Sequence, residues 1–145
     1  MNLVWLWWLG CGAQQPEVVV REGVESLARH VGVPPALHEV RWAGRPLGTV
    51  GLGPTDLELV AWFPVAEGDR AAVEAALGAP LGEDVRRVPG ALAGVLPPEL
   101  AAARSGDEVV LRGVVWPATA FENAQWKGGF ALWVAGGLVV QLYSF

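Results

Sequence analysis

The chain has a single cysteine, a single lysine and two histidines, and charged side chains make up only 17% of it. Each scarcity removes a class of function. One cysteine, Cys11, allows no internal disulfide framework and no cysteine-paired metal site. Lys127 stands alone beside nine arginines in a chain of net charge -5, so no basic stripe can follow a phosphate backbone, and nucleic acid is excluded as a partner. No apolar run approaches the roughly 18 to 20 residues that a membrane-spanning helix requires.

Motifs for chemistry are equally scarce. His30 and His38 fall in no HxH or HExxH pattern, so neither a metal nor another cofactor is expected. Ser26, Ser105 and Ser144 lie in no GxSxG elbow and no SxxK pair. Gly48-Thr49-Val50-Gly51-Leu52-Gly53 is glycine-rich, but it lacks the Lys-Ser/Thr of a phosphate loop and the spacing of a dinucleotide fingerprint. His30 reads as solvent-exposed on a helix flank and His38 as half-buried on a strand.

Apolar side chains are abundant. They form 52% of 145 residues with a mean hydropathy of +0.36, a composition that excludes intrinsic disorder and fits one well-cored domain. Nineteen glycines and eleven prolines require short elements and many turns. Three of the eight tryptophans fall within Met1 to Gly10, MNLVWLWWLG, a stretch without a charged side chain. Cys11 follows at once, and Gly12-Ala13-Gln14-Gln15-Pro16 reads as a linker.

A short apolar segment ending in small residues is the pattern of a secretory signal. With Trp8-Leu9-Gly10-Cys11 at its end, it resembles the signal peptide of bacterial lipoproteins, in which the cysteine after a small residue is lipidated and becomes the mature N-terminus. The match lies at Gly10 and Cys11; Trp8 stands where the lipobox usually has Leu, and no Lys or Arg precedes the apolar stretch. The resemblance implies a membrane anchor on Cys11, with Gly12 similar to the default outer-membrane sorting residue. Two acyl chains give the stable anchoring that one cannot. The division is then residues 1–10 as signal peptide, 11–16 as linker and 17–145 as the folded body.

Within the body, Val18-Val19-Val20 reads as a strand, and Val24, Leu27, Ala28 and Val31 recur at helical spacing until Gly32 and Pro34-Pro35 stop them. Period-two alternation from His38 to Trp42 predicts a strand, Ala43 to Pro46 a turn, and Leu47 to Leu52 a glycine-weakened strand. Leu57 to Phe63 is apolar on both faces and predicts a central strand, covered on both sides or open to a ligand. A helix is expected over Asp69 to Leu77 with Asp69 as N-cap, and a shorter one that starts at Pro97-Pro98-Glu99 and runs through Ala103 or Arg104. Residues 81–96 fit no single period. Strands follow over Glu108 to Trp116, Trp126 to Ala135 and Leu138 to Phe145, the last two joined through Gly136-Gly137. The expected fold is α+β: one domain, mainly antiparallel sheet, with two to three short helices.

Most tryptophans of the body read as core. Trp116 beside Pro117, and Trp126 after the polar Glu122-Asn123-Ala124-Gln125, read as exposed, and with Phe121 they form the candidate binding surface. The expected function is a small binding or structural module, exported and tethered through Cys11, with a protein or carbohydrate partner. The alternatives are a soluble cytoplasmic domain with a packed N-terminus, and a small hydrolase using His38.

Overall fold

The structure is a computed structural model that describes residues 18–47 and 56–144. Eight strands form one antiparallel sheet: β1 (Arg21–Glu22), β2 (Arg41–Pro46), β3 (Leu57–Pro64), β4 (Gly82–Pro89), β5 (Arg104–Ser105), β6 (Glu108–Pro117), β7 (Trp126–Val134) and β8 (Gly137–Ser144). Their order is β1-β2-β3-β8-β7-β6-β4, with β5 folded back on β6. The helices are α1 (Val24–Ala28), α2 (Arg70–Leu77) and α3 (Pro98–Ala101), with 3-10 turns at Glu67–Asp69, Gly90–Val95 and Ala118–Phe121. The fold is α+β, as expected.

The middle of the sheet follows from sequence with little intervention. In β3, Leu57, Leu59, Ala61 and Phe63 face one hydrophobic cluster, while Val60 and Trp62 face another. Such a strand needs cover on both sides. On the first face Leu27 from α1, Val31 just beyond that helix, Val73 and Leu77 from α2, and Phe121 supply it. On the second, Leu92 and Val95 from the Gly90–Val95 turn do so, with Leu100 of α3 at the margin. Full burial of each such side chain contributes about 1.5 to 3 kcal/mol. The sheet curls over the second cluster until this turn, which follows β4 at one edge, reaches β2 near the other. There Arg41 donates to the Gly94 carbonyl at 2.9 Å.

Several local expectations are corrected. Val18 to Val20 do not pair as a strand; Val18 and Val20 lie against the second cluster, and pairing starts only at Arg21 opposite Trp42. Ala43 to Pro46 is not a turn but the body of β2, running from Ala43 opposite Val60 to Pro46 opposite Leu57. Ala43 is fully buried, and β3 supplies the hydrogen-bonding partner that outweighs the turn preference of Gly-Arg-Pro. The segment expected as a strand over 47–52 lies, beyond Leu47, outside the described residues, as do Gly48 to Gly53 and Cys11.

Asp69 is not an N-cap by its side chain, because it already has helical dihedrals at the end of a 3-10 turn. Residues 82–89, within the unassigned stretch, form the edge strand β4, whose Glu83, Asp84, Arg86 and Arg87 guard its free side. The turn between β7 and β8 is centred on Ala135-Gly136 rather than Gly136-Gly137. Gly137 lies inside β8, where a Cβ would run into the Phe63 carbonyl and the Trp62 ring.

Candidate functional site

The three residues expected on an exposed aromatic surface are in the core instead. Trp116 is 3% exposed and donates its indole N–H to the Gly78 carbonyl at 3.2 Å, just beyond α2. Phe121 has no exposed surface and packs against Phe63, with ring centres 5.7 Å apart. Trp126 is 5% exposed, but it differs from the other two in forming the wall of a groove.

That groove, about 320 Å³, is lined by Arg21, His30, Trp42, Gly44, Arg45, Pro46, Leu57, Leu59 and Trp126. Its floor is a consequence of strand register. Pro46 pairs with Leu57, Leu57 with Ser144 and Ser144 with Trp126, so one row crosses four strands. Along β2 the same face carries Trp42, Gly44 and Pro46 at period two. Gly44 has no side chain to fill the space between its two large neighbours, so a depression opens over Leu59. The Ser144 hydroxyl accepts from the Leu57 N–H at 3.1 Å and ties the row together.

Both aromatic walls are held in place. The Trp42 indole donates to the Ser26 hydroxyl at 3.0 Å, and that hydroxyl donates to the Gly23 carbonyl at 2.8 Å, at the start of α1. His30 lies 5.4 Å from the Trp42 ring centre, and the Arg21 guanidinium 5.6 Å from it. Trp126 is fixed through Asn123. The Asn123 side-chain amide donates to the His30 carbonyl at 2.6 Å, while its oxygen accepts from the Gln125 and Trp126 N–H groups at 2.8 Å each. One side chain therefore joins the segment after α1 to the start of β7.

Among the described residues the ionisable side chains of the lining are Arg21, His30 and Arg45, with no carboxylate among them. Arg45 turns its Nε to the buried carboxylate of Glu58 at 3.0 Å, and the second oxygen of Glu58 accepts from the Gln141 amide. Arg21 makes no ion pair among the described residues. A recess of about 530 Å³ beside Pro89 to Ala91 is lined by Arg45, Arg104, Asp107 and Glu108, charges of both signs without an aromatic wall.

His38 is exposed rather than half-buried, and lines shallow clefts that also contain Glu39, Glu22 and Asp69. No hydrogen bond from its ring is found among the described residues, and the hydroxyls of Ser26 and Ser144 are engaged as described. Among the described residues no three His, Cys, Asp or Glu side chains gather as metal ligands. Among the same residues no helix is long and apolar enough to cross a membrane. No protein-family model, curated protein or solved structure matches the chain.

The groove was missed in sequence because its members span positions 21 to 126 and meet only through the sheet. The one usable signal was Gly44, a strand glycine between two bulky residues of the same face, which marks a place left open beside the backbone.

Proposed function

We propose that the chain is an exported bacterial lipoprotein whose α+β body is a small binding module, held at the outer membrane through lipid on Cys11. The observation that carries this reading is Trp8-Leu9-Gly10-Cys11, an apolar stretch ending in a small residue and the only cysteine of the chain. The body supports it in two ways. It contains no further cysteine, so its stability in an oxidising compartment rests on its two hydrophobic clusters. It also offers a groove with an apolar floor and a few placed polar groups, the usual make-up of a small-molecule site.

Metabolic labelling with a palmitate analogue in a bacterial host tests the anchor. Label is expected on the wild-type chain and absent from Cys11→Ala. Equal absence from both overturns the reading.

A further inference from the structure

The groove constrains what the module binds. Its walls are the edges of Trp42 and Trp126, 6% and 5% exposed, above Leu57 and Leu59, which favours a ligand whose body is apolar and flat enough to lie along them. Its volume of about 320 Å³ is near the lower end of small-molecule sites and suits a compact ligand. Among the described residues the ionisable lining side chains are Arg21, His30 and Arg45, and the exposed Arg21 has no acidic partner among them. The Trp126 indole N–H also has no acceptor among them, whereas those of Trp42 and Trp116 are both satisfied. The Arg21 and Trp126 donors are both open to solvent and so are free to meet a ligand that brings the acceptors. A neutral sugar would need acceptors from the protein for its hydroxyl protons, and among the described residues no carboxylate or side-chain amide lines the groove.

We propose that the groove binds an aromatic carboxylate, its ring against Trp42 and Trp126 and its carboxylate at Arg21. This rests on the body being a binding module and goes further by naming the ligand class. The guanidinium fork matches the two oxygens of a carboxylate, and such charge-assisted bonds are about twice as strong as neutral ones. In a chain of net charge -5, the Arg21 guanidinium, without an ion-pair partner among the described residues, gives this rim a local positive charge that favours an anion.

Indole-3-acetate, tryptamine and 3-methylindole share one ring and differ in charge, so together they test the proposal. The full chain carrying Cys11→Ser is used, which makes the outcome independent of lipidation: a failure here leaves the acyl-labelling result standing, and the converse also holds. Tryptophan side-chain N–H resonances are followed by two-dimensional NMR. Indole-3-acetate is expected to shift the Trp42 and Trp126 signals, 3-methylindole to bind more weakly by about tenfold, and tryptamine to leave both unmoved.

Gly44→Leu fills the depression. Gly44 has no positive φ, and a Cβ there meets nothing closer than the Glu58 carbonyl at 3.4 Å, so the strand is expected to hold while binding is lost. Arg21→Glu, at an exposed position, leaves the core untouched and is expected to weaken indole-3-acetate by at least about tenfold. Equal binding of the three probes, no binding of indole-3-acetate, or unchanged affinity in Arg21→Glu overturns the proposal.

Discussion

The side-chain amide of Asn123 donates to the main-chain carbonyl of His30 across 2.6 Å, linking the loop before β7 to the turn after α1. The same side chain accepts from Trp126, so one residue sets the separation of the two groove walls. Asn123→Ala removes three hydrogen bonds at an exposed site and is expected to cost about 1 to 2 kcal/mol in urea unfolding. Asn123→Asp keeps the acceptor but sets a carboxylate against the His30 carbonyl, and should be no more stable than the alanine variant. Wild-type stability in Asn123→Asp would show that the His30 link contributes nothing.

Phe121 and Trp116 make the opposite case, since their role is cover rather than contact. Phe121→Ala is expected to lower stability by about 3 to 5 kcal/mol, and Trp116→Ala by a similar amount, each leaving a large cavity in the first cluster. A change below about 1 kcal/mol in either variant, measured by chemical denaturation, would mean that the ring is not buried as described.

These two residues also show where sequence reading stops. Leu57 to Phe63 was legible as a central strand because its own side chains are apolar on both faces, a local fact. The exposure expected of Trp116 came from its neighbour Pro117, and Phe121 was grouped with it as part of the same surface. What covers them is remote: Gly78 beyond α2 for one, Phe63 on β3 for the other. Ala43 to Pro46 failed for the same reason, since its composition favours a turn and only pairing with β3 makes it a strand. The groove needed the row from Pro46 to Trp126, which is a property of strand order, and strand order is not written in any single segment.

Glu58 is 3% exposed and is satisfied by Arg45 and Gln141. Glu58→Ala is expected to cost about 3 kcal/mol, because it strands the buried Gln141 amide and removes the counter-charge of Arg45. Replacing both buried partners, Glu58→Met with Gln141→Leu, should recover most of that loss, since an apolar pair leaves no donor unpaired and Arg45 can turn to solvent. A double variant less stable than Glu58→Ala contradicts this account.

Tyr143, opposite Glu58 in register, has its phenol held above the ordinary value of 10.0, first by burial and then by the Glu58 charge, with Arg45 acting the other way. The folded chain therefore keeps this proton to higher pH than the unfolded chain does. The stability this provides is complete below pH 10.0 and is lost as the pH rises through the folded value. Tyr143 is the only tyrosine, so phenolate absorbance reads it directly. Its midpoint is expected above that of the urea-unfolded chain, and equal midpoints would contradict the burial.

The most direct test of the central claim, that Cys11 anchors an exported binding module, is the intact mass of the protein extracted from bacterial membranes. A chain beginning at Cys11 and carrying acyl groups is the predicted result. An unmodified chain that still contains Met1 to Gly10 would contradict it.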